Sequence, residues 1–404
     1  MVSFTLLHAL VAGYAVKRAS GSIDRETLKC AIETSLKVQG FIVHNGRVFL
    51  PPDLTKDGFR QVHAAAVHRK LEHMRAGLER HEAQLLCWVA AGSEVKPEKI
   101  RPVLVEVKPR SEEELFFRYA SAHWSVPVSS GYGRRLRFLV LDEQNSKVIG
   151  LFGLGDPVFS LAERDRWIGW DKETKRQRLR YVMDAFVLGA IPPYSLLLCG
   201  KLVAMLVASN EVREAFARKY AGRAAVISGT AHDGQLALIT TTSALGRSSL
   251  YNRIRYRDRL LYWALGFTRG SGEFHFSNGL YAAISQYALE HCKPTAKHAR
   301  WGSGFRNRRE VVKKCLASLG LSTEWLYHGI RREIFAVPLA ENACAFLRGD
   351  DETLMPYDQP AADLFAFFRE RWLLPRAARD PRYLEFTPDQ YRLWIGGEAV
   401  DSRG

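Results

Sequence analysis

The chain has 404 residues, and its 58 lysines and arginines outnumber its 43 aspartates and glutamates, which gives a formal net charge of +15. Hydrophobic residues make up 47% of the chain and aromatic residues 11%, enough for a sizeable core, so a globally disordered protein is excluded. The length predicts two or three domains, and the charge favours a polyanionic partner, nucleic acid above all.

Residues 4–16 form the longest apolar stretch near the start of the sequence. This stretch is shorter than the roughly 20 residues that a membrane span needs, and it lacks the basic lead of a secretion signal. We therefore expect a cytoplasmic protein without a membrane partner. Six scattered cysteines with no C-x-x-C pair argue against a zinc finger or a disulfide framework.

Residues 1–105 are predicted to form a mostly helical module. An amphipathic helix over 23–38 precedes a hairpin over 41–50 with Asn45-Gly46 at its turn, and a long helical pattern follows over 59–92. A helix followed by a two-stranded wing is typical of a winged-helix module that binds DNA. The alternative is a helical scaffold that packs on the core. Pro97 and Pro102 indicate a linker.

Residues 106–290 are predicted to form an α/β core. Ser111 caps a helix that runs to Ala122, and strands are expected over 136–141, 148–154, 185–188, 236–242 and 274–276. Helices are expected over 194–220 and from Ser248. Residues 291–404 are predicted to form a basic helical module, with helices over 309–319, 338–347 and 361–372.

The positive charge is concentrated in short segments. Arginine can bind phosphates with a planar fork of donors, and aromatic rings can stack on bases. We therefore predict a nucleic-acid-binding groove, with a solvated basic surface as the alternative. Its predicted residues are Arg134, Arg135, Arg247, Arg253, Lys297, Arg300, Trp301, Arg306, Arg308 and Arg309.

Four polar residues lie where predicted strands begin or end. Asp156 follows a strand, Asp184 begins one, and Glu273 and His275 would share one face of another. These four are the predicted acid–base residues, and Asp156, Asp184 and Glu273 are the predicted ligands of Mg²⁺ or Mn²⁺. A turn or a helix cap is the alternative role for each aspartate.

Tyr251 follows a segment rich in hydroxyl groups, residues 240–249, where a strand would lead into a helix. Such a junction can hold a phosphate against the helix N-terminus. Because Arg253 is close in sequence, Tyr251 is a candidate nucleophile for a DNA phosphate. The alternative is a tyrosine of the core or one that binds a phosphate.

Several strings resemble the family of the Druantia anti-phage system protein A. The strings are Trp124–Ser129, Gly131–Val140, Gly155–Phe159, Ile168–Trp170, Asp184–Tyr194, Thr240–Arg253 and His328–Glu333. The resemblance covers residues 40–375 and implies a setting in bacterial defence or in mobile elements, with other proteins of such a system as partners. It implies no particular chemistry.

The order of predicted elements is also similar to the acetyltransferase (GNAT) fold. We therefore predict an α+β protein with a GNAT-like mixed sheet, a helical or winged-helix-like N-terminal module and a basic helical C-terminal module. In that fold a loop after the central strand binds coenzyme A through backbone N–H groups. The matching loop here contains Pro192 and Pro193, which have no N–H, so coenzyme A is not expected.

These observations lead to one hypothesis and two rivals. The hypothesis is a DNA-binding protein of a defence or mobile-element system that processes DNA strands as a nuclease or transposase-like enzyme. The rivals are a non-catalytic DNA-recognition subunit and a GNAT-type acyltransferase.

Overall fold

The computed structural model describes residues 24–52, 54–129, 131, 133–224, 231–276, 280–294, 305–395 and 398–399. The predicted residues Lys297, Arg300 and Trp301 lie outside this range. The chain divides into two compact units. The helical unit contains residues 1–74, 125–127 and 268–332, and the sheet unit contains residues 75–124, 128–267 and 333–404.

The α-helices of the described residues, in chain order, are α1 (Arg25–Val38), α2 (Lys56–Leu78), α3 (Glu82–Leu86), α4 (Glu112–Ala122), α5 (Ala162–Ile168), α6 (Lys172–Arg178), α7 (Cys199–Leu206), α8 (Asn210–Tyr220), α9 (Leu280–His291), α10 (Phe305–Ser318), α11 (Ala343–Arg348), α12 (Ala361–Phe368) and α13 (Leu374–Arg379). A π-helical turn, Arg369–Leu373, joins α12 to α13. No helix in these ranges is both long and apolar enough to cross a membrane.

The strands, in chain order, are β1 (Ile42–His44), β2 (Arg47–Phe49), β3 (Pro102–Glu106), β4 (Arg135–Asp142), β5 (Lys147–Gly155), β6 (Val182–Ala190), β7 (Leu238–Thr242), β8 (Arg255–Tyr256), β9 (Arg259–Leu260), β10 (Trp263–Phe267), β11 (Glu333–Pro338), β12 (Trp394–Ile395) and β13 (Glu398–Ala399). Together with the helices they make a mixed α+β protein, as the sequence predicts.

A seven-stranded sheet organises the sheet unit, in the order β10-β11-β7-β6-β5-β4-β3. All neighbours are antiparallel except β6 and β7, which run parallel from the pair Val182–Leu238 to the pair Ala185–Thr241. Beyond this pair β6 continues to Ala190, whereas β7 ends at Thr242. The sheet therefore has one parallel step at its centre.

Helix α7 packs closely on one face of this sheet. A Cβ atom at Gly150 of β5 would lie 2.7 Å from Val203 of α7 and 2.5 Å from the carbonyl oxygen of Gly189. Only glycine leaves room for this approach. The buried aromatic pair Phe138 and Phe152, stacked with ring centroids 4.9 Å apart, belongs to the same core.

The helical unit has its own core. Helices α1, α9 and α10 contribute Ile32, Ile284 and Val312, all fully buried. Asp24 caps α1 by accepting a hydrogen bond from the Thr27 N–H at 2.9 Å. The β1–β2 hairpin turns at Asn45 and Gly46 with positive φ angles of 47° and 69°, which confirms the predicted hairpin.

Four predicted elements differ from the structure. The expected linker contains β3, an edge strand that tolerates its leading Pro102. The segment 291–404 is not purely helical, since β11 pairs between β7 and β10. Residues 274–276 form a 3₁₀ turn instead of a strand, and a 3₁₀ turn over Tyr251–Arg253 follows Ser248 where an α-helix was expected. The predicted three-domain division stays a prediction.

Candidate functional site

Asp156 forms an ion pair with Arg134 at one end of the sheet. It directly follows Gly155, the last residue of β5, as the sequence predicts. The Arg134 side chain donates to Asp156 through Nε at 2.6 Å, and its backbone N–H donates at 3.1 Å. Gly133 has a φ of +64°, and a Cβ there would lie 1.9 Å from the Asp156 carboxylate. The glycine before Arg134 therefore makes this pair sterically feasible.

The two terminal nitrogens of the Arg134 guanidinium also donate hydrogen bonds within the sheet unit. They donate to the carbonyl of Arg180, and to that of Val182 at 3.2 Å. The guanidinium carbon lies 5.4 Å from the ring centroid of Phe216 and 5.9 Å from that of Tyr220. These contacts favour a structural role for Arg134 over phosphate binding.

Asp184 is a carboxyl group whose surroundings suit proton transfer. It is half-buried as the third residue of β6 and pairs in register with Thr240 of β7. The Thr240 hydroxyl donates to the carboxylate at 2.7 Å. Burial raises the pKa of Asp184 to about 6, although the Thr240 hydrogen bond and the positive charge of Arg164 both oppose the increase. Such a group exchanges its proton near neutral pH.

His275 lies in the helical unit, and its side chain is fully buried. Its Nε2 lies 2.8 Å from the carbonyl oxygen of Trp325, so this nitrogen carries the proton. Burial lowers the pKa of His275 to about 4. Without access to solvent, the ring is poorly placed to act as an acid or base on a substrate.

Two further histidines surround this position. The ring centroids of His275 and His328 are 5.5 Å apart, and Arg332 donates to Nε2 of His63 at 2.9 Å. Burial lowers the pKa of His63 to about 3 and that of His328 to about 2, and neighbouring positive charge adds to both shifts. We call His63, His275, His328 and Arg332 the histidine cluster. No sequence spacing predicts it, because the three rings come from distant segments.

Glu273, next to this cluster, is also buried. Burial raises the pKa of Glu273, while the charges of Arg308 and Arg309 oppose the increase. Across the described ranges, no three His, Cys, Asp or Glu side chains are grouped so as to hold a metal ion. The predicted Mg²⁺ or Mn²⁺ site on Asp156, Asp184 and Glu273 stays a prediction without geometric support.

Glu333 occupies the position predicted for a phosphate near Tyr251. Its carboxylate accepts hydrogen bonds from the backbone N–H of Ser248 at 2.9 Å and from the Asn252 side chain at 3.1 Å. Because these donors already bind an internal carboxylate, they are not free for a ligand.

Tyr251 belongs to an aromatic cluster of the sheet unit. Its ring stacks on Tyr262, with centroids 4.9 Å apart and planes 7° from parallel, and it meets Phe335 edge-on at 5.1 Å. Burial raises the pKa of Tyr251, which disfavours the phenolate that a nucleophile requires. The contacts favour the alternative of a core tyrosine.

The basic residues of the helical unit concentrate on α10. This helix carries five lysines and arginines against one glutamate within 14 residues. The guanidinium carbon of Arg308 lies 4.3 Å from the Tyr281 ring centroid. Arg69 of α2 is close enough to Arg308 that the two charges repel, and this repulsion adds to burial in lowering the pKa of Arg69. Sequence reasoning missed Arg69, since it lies in an ordinary helical stretch.

A groove of about 550 Å³ lies beside this pair. We call it the Tyr281 groove. Its lining residues are Arg69, Tyr281, Ala282, Ser285, Gln286, Leu289 and Glu290. The predicted residues Arg135, Arg247 and Arg253 belong to the sheet unit, where all three are exposed.

The fold and these contacts define a basic, mixed α+β protein that combines a helical unit with a seven-stranded sheet unit. A family model described as Druantia protein DruA matches residues 53–349. A protein named Druantia protein DruA, from Escherichia coli strain UMEA 4076-1, is 39% identical over 375 residues, covering 93% of this chain and 91% of that protein. No solved structure matches the chain.

The chain therefore belongs to the DruA family. The membership predicted from the sequence strings is confirmed, and the protein is a component of a Druantia anti-phage system.

Proposed function

We propose that the protein binds DNA through the helical unit, as the DNA-recognition component of its defence system, and acts together with other proteins of that system. One observation carries the proposal: Arg69 and Arg308 hold two positive charges close together beside the Tyr281 groove. Glu273 and Glu290 place two carboxylates near the same residues, and Arg69, Arg308 and Arg309 outnumber them. A phosphate beside the two arginines would reduce the remaining repulsion between like charges. A DNA backbone supplies such anions at regular spacing.

The surroundings of this pair support the same ligand. The excess positive charge of α10 extends the field along the helix, and Ser285 and Gln286 add neutral hydrogen-bonding groups of the kind that contact phosphate oxygens. The helix-and-hairpin order of α1, β1 and β2 is consistent with a winged-helix-like arrangement. We therefore expect binding that depends steeply on salt and weakly on base sequence.

Fluorescence anisotropy with a labelled duplex tests this proposal. The Arg69→Gln/Arg308→Gln double variant is expected to bind at least about 10-fold more weakly than the wild type, which corresponds to about 1.4 kcal/mol. A matched control is Arg47→Gln/Arg60→Gln, because these exposed arginines are already paired with Glu324 and Asp57. Equal affinities for the wild type and the first double variant would overturn the proposal.

A second candidate function is strand processing, and Asp184 favours it. A carboxyl group with a pKa of about 6, held by Thr240 at the parallel step of the sheet, can give or accept a proton at a DNA phosphate. Supercoiled plasmid incubated with Mg²⁺ or Mn²⁺ provides the assay. Asp184→Asn is expected to abolish nicking, whereas Asp171→Asn, at a helix cap, retains it. Wild-type protein that leaves single-stranded, double-stranded and branched DNA intact would contradict this function.

The strand order supports a GNAT-like core. Strands β3 to β6 are antiparallel neighbours, β7 runs parallel to β6, and β11, the last strand of the sheet in the chain, lies between β7 and the edge strand β10. Coenzyme A remains an unexpected ligand, because Pro192 and Pro193 cannot donate backbone N–H groups. We expect acetyl-coenzyme A to leave the melting temperature unchanged. A rise of several degrees would instead favour the acyltransferase rival.

A further inference from the structure

Three positively charged side chains come together in the sheet unit. Lys201 lies in the first turn of α7, Arg253 ends the 3₁₀ turn Tyr251–Arg253, and Arg371 lies in the π-helical turn before α13. The Nζ of Lys201 and the guanidinium carbon of Arg371 each lie 5.3 Å from the ring centroid of Trp372. One indole ring thus contacts two cations.

Local packing brings Arg253 to the same place. A Cβ atom at Gly200, next to Lys201, would lie 3.2 Å from the side chain of Leu250, so the 3₁₀ turn approaches the start of α7. The positive charges of Arg253 and Arg371, together with burial, lower the pKa of Lys201. Lys201 therefore lies in a field of uncompensated positive charge.

Within the described part of the chain, no carboxylate forms an ion pair with this group. Among the ion pairs of the described residues, none involves Lys201, Arg253 or Arg371. Other arginines of the same unit behave differently, since Arg164 and Arg376 pair with Asp165 and Asp380 at 2.7 and 2.6 Å. A half-buried ammonium with two guanidiniums nearby and no acid partner is typical of a site that receives an anion.

The backbone at Arg371 is also unusual. The π-helical turn Arg369–Leu373 interrupts the helical run between α12 and α13. Such turns are rare and occur frequently at functional sites. Here the turn carries both Trp372, whose ring contacts Lys201, and Arg371, whose charge repels Lys201.

We propose that Lys201, Arg253 and Arg371 form a binding site for a phosphate group of a polyphosphate or of a nucleic-acid backbone. The site belongs to the sheet unit, so it goes beyond the DNA binding proposed for the helical unit. Three cations match the several negative oxygens of such a ligand, and the Trp372 ring keeps two of the cations in position.

Two probes distinguish the two sources of phosphate. Inorganic triphosphate is titrated into the full-length protein by calorimetry, and a labelled single-stranded oligonucleotide is followed by anisotropy. The oligonucleotide is measured in the Arg69→Gln/Arg308→Gln background, so that loss of binding in the helical unit cannot be mistaken for loss at this site. Lys201→Gln and Arg371→Gln are the test variants, and Arg176→Gln, whose partner is Glu173, is the matched control.

At least one probe is expected to bind, and each test variant is expected to weaken that binding by about 10-fold or more, with the control unchanged. If triphosphate binding depends on Lys201 and Arg371, a free polyphosphate is a ligand of the site. If only oligonucleotide binding depends on them, the ligand is a phosphodiester backbone. If neither probe binds, or if every probe that binds does so as tightly to the test variants as to the wild type, the proposal is overturned.

Chemical labelling of the wild-type protein tests the proposal even if the variants fail to fold. Because its pKa is lowered, Lys201 should react readily with a limiting amine-directed reagent, read by mass spectrometry. Saturating triphosphate or oligonucleotide is expected to protect Lys201 several-fold relative to Lys172, which is exposed. Unchanged labelling of Lys201 with both probes overturns the proposal independently of any substitution.

Discussion

Mild acid should open the helical unit because it protonates the histidine cluster. His63, His275 and His328 have pKa values of about 3, 4 and 2 in the folded protein, against about 6.5 in an unfolded chain. The unfolded chain therefore binds more protons below about pH 6.5. The loss of stability caused by the three rings therefore begins near pH 6.5 and continues until the pH reaches their folded values of about 4, 3 and 2.

The size of this stability loss follows from the difference between the pH and the pKa of histidine in the unfolded chain. At about pH 5 each ring lowers the free energy of unfolding by roughly 2 kcal/mol. The three rings together lower it by about 6 kcal/mol, which is a large part of a typical domain's stability. Glu273 acts in the opposite direction, because its raised pKa lets the folded state take up a proton first. Arg332 keeps its charge and adds to the repulsion once a ring is protonated.

Hydrogen exchange measured by mass spectrometry provides the assay, with exchange times corrected for the chemical effect of pH. Peptides of α1, α9 and α10 should lose several kcal/mol of opening free energy between about pH 7.5 and pH 5. His275→Gln should remove about 2 kcal/mol of this pH dependence, whereas His44→Gln, at an exposed position, should not change it. An opening free energy that stays constant over this range would refute the reasoning.

Three further predictions concern the sheet unit. Gly133→Ala should lower the melting temperature by several degrees, because a Cβ would collide with Asp156 at a positive φ angle. Asp184→Asn should raise the free energy of unfolding by about 1–3 kcal/mol above pH 6. The reason is that the pKa of Asp184 is raised in the folded protein, so its ionised, half-buried carboxylate destabilises the fold above that pH. Chemical denaturation at several pH values measures the gain. Tyr251→Phe should leave both the melting temperature and DNA affinity within error, because the ring stacking persists.

Each of these predictions has a contradicting result. A Gly133→Ala variant as stable as the wild type would mean that the Arg134–Asp156 pair is not held as described. A stability gain for Asp184→Asn that is equal at pH 4 and pH 7 would rule out titration as its cause. Loss of a covalent DNA adduct in Tyr251→Phe would restore the nucleophile role that its burial disfavours.

Local signals in the sequence predicted several elements well. Asn45-Gly46 predicted the hairpin because both residues adopt positive φ readily, and Ser111 marked the start of α4 through its side-chain cap. Asp156 was correctly expected at the end of a strand. These features depend on a few neighbouring residues, so the sequence contains the information directly.

Features that depend on distant segments could not be predicted in this way. Strand β11 is a short apolar run, and only its pairing with β7 and β10 distinguishes it from part of a helix. His275 falls in a 3₁₀ turn that Glu273 precedes, because the Phe276 N–H bonds back to the Glu273 carbonyl at 3.0 Å. The neighbourhoods of Arg69 and Lys201 arise from tertiary contacts alone.

The salt dependence of DNA affinity tests the central claim most directly. For duplex DNA the slope of log affinity against log salt changes by about 0.9 for each phosphate contact. Removing two contacts in Arg69→Gln/Arg308→Gln should therefore make the slope shallower by about 2, while Arg47→Gln/Arg60→Gln keeps the wild-type slope. The same steep slope in all three proteins, or a wild-type affinity that ignores salt, would contradict DNA binding through the helical unit.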